Sequence, residues 1–240
     1  EHKADPNHLD DRGLRPLHLA AAYDRPDVMR VLLDAGADIN AATTEQSMLF
    51  CGPDFKKGDS PLHVAVENNH ISAAEYLLKH SAKVNARNEE GRTPLHSIGS
   101  LDPDISEPLA RLLVEHHAEV NATDKSGNTP LHAAVESQDI SSSQYLLKHG
   151  SQVNARNEAG QTPLHLAASK AAEPLARLLI EQHAEVNAID KSGHTPLDCI
   201  NAQTDGPFGL FPPDEATQNS LVQFLKRHGA VKGKASKPGN

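Results

Sequence analysis

One short phrase constrains this chain more than anything else in it, and it is written most fully at Thr162-Pro163-Leu164-His165-Leu166-Ala167-Ala168. Thr162 is a good helix N-cap, because its hydroxyl can accept a hydrogen bond from a backbone N–H of the first turn. Pro163 suits the first helical position, where its missing N–H costs nothing and its fixed φ is already helical. Leu164 supplies a core contact, and Ala167 and Ala168 allow a neighbouring helix close approach. The phrase returns around Pro61, Pro94 and Pro130, with weaker copies around Pro16 and Pro196. Pro61 to Pro94, Pro130 to Pro163 and Pro163 to Pro196 are each 33 residues, whereas Pro94 to Pro130 is 36 and Pro16 to Pro61 is 45. A fixed period of this length predicts stacked copies of one supersecondary unit, with insertions at two joints.

Each copy carries further parts in step with the proline. Gly13, Gly58, Gly91, Gly127, Gly160 and Gly193 each lie three residues before it. A second apolar stretch ends in a leucine pair such as Leu77-Leu78 or Leu178-Leu179, and a Val-Asn-Ala turn follows at Val84, Val120, Val153 and Val186. On these residues the chain resembles the ankyrin repeat family, over roughly residues 4 to 231. The resemblance implies an all-α solenoid of stacked helix-turn-helix units with β-hairpin-like turns, and a role in binding other proteins.

The repeats divide the chain as follows. Residues 1–12 align with the end of a preceding, truncated repeat, because Glu1-His2-Lys3-Ala4 matches Glu115-His116-His117-Ala118. Further helix is therefore expected upstream. Repeat 1 spans residues 13–43, an insertion 44–57, repeat 2 58–90, repeat 3 91–126, repeat 4 127–159, repeat 5 160–192 and repeat 6 193–231. Repeat 6 carries an inserted loop at 204–215, and 232–240 reads as a disordered basic tail, being rich in Lys, Gly and Pro. In repeat 3, Ile98-Gly99 replaces the small or branched residues of the other first helices, which predicts the softest first helix of the interior.

Charge and composition exclude several functions. The net charge is −9, and residues 1–225 carry −14 because Lys226, Arg227, Lys232, Lys234 and Lys237 are gathered at the end. An acidic body repels phosphate, so nucleic acid is not expected as a partner. It suits a partner with a basic surface. No apolar run is long enough for a membrane span. Cys51 and Cys199 lie several repeats apart, too far for a disulfide within one monomer, and their usage leans towards a reducing compartment. The body is expected to be a monomer.

Fifteen histidines invite a metal hypothesis. His18, His63, His96, His132 and His165 are spaced one repeat apart, too far for a zinc ion with bonds of about 2 Å to bridge. The family resemblance implies that they bond the backbone of their own and neighbouring repeats. His80, His116, His149 and His228 end the second helices, where a cationic ring complements the macrodipole. No Cys or clustered carboxylate completes a metal site, and no phosphate loop, Gly-x-Ser-x-Gly elbow or His-Glu-x-x-His is present. Cys199 reads as a small buried hydrophobe. The sequence therefore predicts no enzyme and no cofactor. A column of alternating charge, Asp34, Lys79, Glu115, Lys148, Glu181 and Arg227, is expected to pair along the stack.

The resemblance places partner binding on a concave face formed by turn tips and first helices. Its candidate residues are Arg92, Lys125, Asn128, Gln161, Lys191 and His194 at the tips, with Glu67, Asn68, Glu136, Ser137, Ser169 and Lys170 on the adjoining helices. Phe50 and Phe55 in the first insertion, and Phe208 and Phe211 in the second, are further candidates, because bulky residues outside the repeat period suit interface anchors. Two functions remain. One is a non-enzymatic scaffold or inhibitor that holds a partner protein on the concave face. The other is a targeting or regulatory module belonging to a larger, possibly catalytic, protein.

Overall fold

A computed structural model describes residues 4–45, 55–100, 103–200 and 215–233. Among these residues the chain forms six helix pairs and no strand. They are α1 (Pro16–Ala22) with α2 (Pro26–Asp34), α3 (Pro61–Glu67) with α4 (Ile71–Lys79), a 3₁₀ helix (Pro94–Ser100) with α5 (Pro103–Glu115), α6 (Pro130–Glu136) with α7 (Ile140–Lys148), α8 (Pro163–Ser169) with α9 (Glu173–Glu181), and α10 (Pro196–Cys199) with α11 (Glu215–Arg227). The expected all-α repeat solenoid is what forms.

The first helices are short because both of their ends are written into the phrase. Each begins with proline at its first position, preceded by an extended Ser or Thr (Arg15 in α1). Seven residues are too few to hold a helix alone in water, so neighbouring repeats must supply the stability. In α1, α3, α6 and α8, Leu17, Leu62, Leu131 and Leu164 are buried, as are the alanines that face the adjoining repeat. The chain then reverses through one residue with positive φ: Asp24, Asn69, Gln138 or Ala171.

Second helices end on another left-handed residue. It is Gly36, Gly150 or Gly229 in three repeats, and Ser81, His117 or His183 in the other three. Glycine takes this conformation without Cβ strain, so these three side chains are tolerated rather than preferred. At the tips the glycine is compulsory. Gly58 has φ +84°, and a Cβ there would lie 2.6 Å from the backbone nitrogen of Glu89 in the adjacent tip.

Repeat 3 departs from its neighbours as its sequence suggests. Its first helix is 3₁₀ where the other five are α, consistent with the glycine at position 99. Its second helix is longer than those of its neighbours, because Pro103 and Asp104 already lie within α5. Pro108, which matches the start of α9, is thereby placed inside a helix and leaves one carbonyl of the added turn without its helical donor.

The apolar core runs along the stack but divides in repeat 4. Ala134 and Leu146 belong to the amino-terminal cluster, and Leu131 and Val135 to the carboxy-terminal one. Between them Ser142 and Ser143 are fully buried, where α4 has Ala73 and Ala74 and α9 has Leu175 and Ala176. Ser143 donates to the Asp139 carbonyl at 2.6 Å, while the Ser142 hydroxyl finds no partner among the described residues.

Two expectations need correction. Residues 232 and 233 do not belong to a disordered tail, because the Gly233 N–H donates to Asp198 at 2.6 Å. The alternating charge column does not close into ion pairs among the described residues. Its lysine Lys79 turns instead to Glu75 on its own helix at 2.6 Å, and nearby Arg111 and Arg177 pair likewise with Glu107 and Glu173. Residues four apart on one helix are 5–6 Å apart at Cβ, closer than stacked helices approach. Cross-repeat ion pairs lie at the turns: Lys57–Glu89 at 3.6 Å, Arg87–Glu119 at 3.9 Å and Arg156–Glu185 at 3.7 Å.

Candidate protein-binding face

The turn tips are held in place by the buried histidines. Each imidazole accepts at Nδ1 from the backbone N–H three residues earlier, as in Ser60 to His63 at 3.2 Å and Thr162 to His165 at 3.0 Å. A Ser or Thr hydroxyl lies 2.9 Å from the same nitrogen in four repeats. Nε2 therefore carries the proton and donates to the tip of the next repeat. His63 reaches the Arg92 carbonyl, His96 that of Asn128, His132 that of Gln161 and His165 that of His194, at 3.0–3.2 Å. His18 bridges two carbonyls, those of Ala41 and Asp59. Burial pulls His18, His63 and His96 down to about 4 and lowers His132 and His165 as well. All five are neutral near pH 7, as their bonding requires.

Repeat 6 replaces this histidine with Asp198. The carboxylate still accepts from the Thr195 N–H at 3.0 Å. It cannot donate, and the group it meets is a donor, the Gly233 N–H. Burial alone would raise its pKa, but the hydrogen bonds from Thr195 and Gly233 hold it below the usual carboxylate value. The substitution thus fits the end of the stack, where returning chain presents an N–H.

A second ladder was not legible as such in the sequence. The asparagine of each Val-Asn-Ala turn spans the joint to the next repeat. Asn121 donates to the Gly150 carbonyl at 2.9 Å and accepts from the Gln152 N–H at 2.9 Å. Asn7, Asn85, Asn154 and Asn187 make the same pair of bonds at their joints. The recurrence of the turn is visible in the sequence, but the destination of its side chain lies about thirty residues away.

Within each tip an Asx turn completes the frame. Asn88, Asp124 and Asp190 each accept two backbone N–H bonds through one side-chain oxygen, and Asn157 accepts one, from Gln161. Neighbouring tips are also linked by single backbone bonds, such as Lys125 N–H to the Glu90 carbonyl and Lys191 N–H to the Ala159 carbonyl.

The sequence-derived candidates now separate. Arg92, Asn128, Gln161 and His194 occupy one position in four successive repeats, and their carbonyls anchor the histidines. The side chains of Lys125, Lys191 and His194 are exposed, and those of Arg92, Asn128 and Gln161 are half-buried. Arg92 donates to the His96 carbonyl at 2.7 Å, and Asn128 accepts from Asn157 at 3.0 Å. Glu136 and Ser137 are exposed on α6, with Ser169 and Lys170 half-buried at the end of α8.

Phe55 is a correction. It is 6 % exposed and packs with Leu14, Ala22 and Val64 across the first two repeats, because the end of the insertion returns onto the first helices instead of protruding. Glu67 is a second correction. Its side chain is only 8 % exposed and pairs with Lys56 of the same returning segment. Phe50, Phe208 and Phe211 lie outside the described residues. Cys199 is buried, and burial with nearby Asp190 and Asp198 pushes its thiol up to about 11. A thiol protonated at neutral pH is a poor nucleophile.

Among the described residues no group of three or more His, Cys, Asp or Glu could hold a metal ion, and no helix is long and apolar enough to cross a membrane.

The same frame is found in known proteins. A family model described as ankyrin repeats (many copies) matches residues 1–50, 112–164 and 146–199. A second, ankyrin repeats (3 copies), matches residues 44–100. The chain belongs to the ankyrin repeat family. Among curated ankyrin relatives, the B-cell lymphoma 3 protein homolog of Mus musculus is 40 % identical over 85 residues, covering 35 % of this chain and 16 % of that protein. The transient receptor potential channel pyrexia of Drosophila melanogaster is 33 % identical over 117 residues, covering 40 % of this chain and 12 % of the channel. The neurogenic locus notch homolog protein 4 of Homo sapiens is 39 % identical over 89 residues, covering 37 % of this chain and 4 % of that protein. The matched region is thus a small part of each of these relatives. Ankyrin repeats are general protein–protein interaction modules, and that coarse role extends to this chain.

Proposed function

We propose that this ankyrin array is a non-enzymatic scaffold or inhibitor, and that it holds one partner protein on the face built from the tips and first helices of repeats 3 to 6. The observation that carries the reading is the division of labour at the tips. Their backbone is committed to the histidine, Asx and tip-to-tip bonds, while Lys125, Lys191 and His194 turn their side chains outward on a rigid frame. A surface whose side chains can vary without disturbing its backbone is suited to recognition.

The first two repeats contribute less. Phe55 covers Val64 there, and Lys56 occupies Glu67. On α6 and α8 the positions equivalent to Val64, Ala133 and Leu166, are half-exposed and offer apolar contact between the charged tips. The acidic surplus of the body favours a partner with a basic surface and disfavours nucleic acid.

The test is affinity capture with the full chain and a Lys125→Glu/Lys191→Glu/His194→Ala variant, followed by binding measurements on the purified candidate. A true partner loses at least tenfold in affinity for the variant and none for a Glu107→Gln control on α5. Equal loss, or no loss, in both variants overturns the reading. A second reading, an interaction module serving a longer protein, is favoured by the small share that the match occupies in its relatives.

A further inference from the structure

The returning end of the first insertion shows what the face of the first helices accepts. Phe55 packs against Leu14, Leu19 and Ala22 of the first repeat and against Val64 of α3, which is fully buried. The next residue, Lys56, pairs with Glu67. Val64 and Glu67 are three residues apart and therefore neighbours on one side of α3. An aromatic ring adjoining a lysine thus covers an apolar position and the carboxylate one turn beyond it.

The same pair of positions recurs once more. Counted from the proline that starts each first helix, α6 carries Ala133 and Glu136 where α3 carries Val64 and Glu67. In the other repeats the second position is Ala22, Ser100, Ser169 or Ala202, none of them acidic. On α6 the pair is open. Ala133 is half-buried, and so is Leu166 at the equivalent position of α8. Glu136 is exposed and makes no ion pair among the described residues. Ala133 and Leu166 therefore offer between α6 and α8 the apolar surface that Leu19 and Val64 offer to Phe55 between α1 and α3.

We infer that α6 and α8 recognise a short segment of the partner protein in which an aromatic residue adjoins a lysine or arginine. The ring covers Ala133 and Leu166, and the cation meets Glu136, as Phe55 and Lys56 cover Val64 and Glu67 within the chain. The inference rests on this face being the protein-binding one, and adds the chemistry of what it binds. The ring's burial against aliphatic side chains supplies most of the attraction. The exposed ion pair adds less and serves mainly to select the segment, and the acidic surplus of the body draws a basic segment towards it.

The probe is a terminally blocked synthetic peptide, Gly-Lys-Phe-Lys-Gly, with a lysine on each side of the ring so that either chain direction brings a cation to Glu136. It is titrated into the isotopically labelled full chain, and backbone amide shifts are followed by NMR. Saturable shifts are expected over residues 131–137 and 164–170. Replacing the peptide's Phe by Ala should weaken binding about tenfold, as for an anchoring residue. Glu136→Gln in the chain should weaken it about threefold, the size of an exposed ion pair, and Glu107→Gln on α5 should change nothing. An absence of saturable shifts on α6 and α8, or binding indifferent to both the Phe replacement and Glu136→Gln, overturns the inference. So does concentration-dependent self-association that Glu136→Gln dissolves, because a second copy of this chain would then fill the face. A partner captured through Lys125, Lys191 and His194 that binds an Ala133→Asp/Glu136→Gln variant as tightly as the parent also overturns it, while leaving the scaffold reading standing.

Discussion

Single residues do the joining in this array, and they do it through backbone atoms of the next repeat. Asn121 makes two direct bonds across a joint. Net hydrogen bonds are worth about 1 kcal/mol each, so Asn121→Ala should lower stability by about 1–2 kcal/mol in urea unfolding. The reverse sign is expected at His117, which holds φ +68° where Gly36, Gly150 and Gly229 stand in equivalent turns. His117→Gly relieves left-handed strain and should add about 0.5–1 kcal/mol. The repeat alignment makes both positions legible in the sequence. Their bonding partners are not, because a side chain's target one repeat away depends on how the repeats stack.

At the scale of elements, the helices are marginal alone and are stabilised by what covers them. Ser142 on α7 is buried at a site where other repeats place Ala or Leu, and its hydroxyl has no partner among the described residues. An unsatisfied buried hydroxyl costs about 1–3 kcal/mol, so Ser142→Ala should raise the melting temperature and tighten the seam between the two core clusters. Phe55, at the described end of the insertion, is buried instead of standing free as an interface anchor. Phe55 is core, and Phe55→Ala should cost about 3–5 kcal/mol in urea unfolding, within the range for emptying a buried aromatic site. Its position outside the repeat period suggested an interface anchor; only the return of the chain to Gly58 packs the ring against Val64. The 3₁₀ helix is the converse case. Gly99 announced a weak first helix, and the hydrogen-bond pattern changes there. Amide exchange over residues 94–100 should be the fastest among the interior first helices.

Over the whole molecule, the five buried imidazoles make stability depend on pH as a group. Their folded pKa values lie below the unfolded value of about 6.5, at about 4 for His18, His63 and His96. Between those values the unfolded chain binds more protons than the folded one, so stability falls as pH falls. Each group contributes up to about 1.4 kcal/mol per pH unit in that window. Urea midpoints should therefore be flat above pH 7 and drop steeply from about pH 6.5 towards 4, well above the range of ordinary carboxylates. Because each ring ties one repeat to the next, the loss should be cooperative along the stack.

The sequence by itself determined the period, the helix starts and the glycine tips, whereas the role of the five histidines came only with the family resemblance. The starts and tips follow from local chemistry: proline at a first helical position, a capping hydroxyl, and glycine where φ must be positive. It also marked the joints that depart from the rhythm. Only the tertiary structure decided where the departures go. It turned Phe55 and Glu67 inward, gave Asp198 an N–H instead of a carbonyl to meet, and paired Lys79, Arg111 and Arg177 with carboxylates of their own helices. Each of those outcomes depends on which surface a neighbouring repeat brings within a few ångströms, and that distance is set by stacking rather than by local sequence.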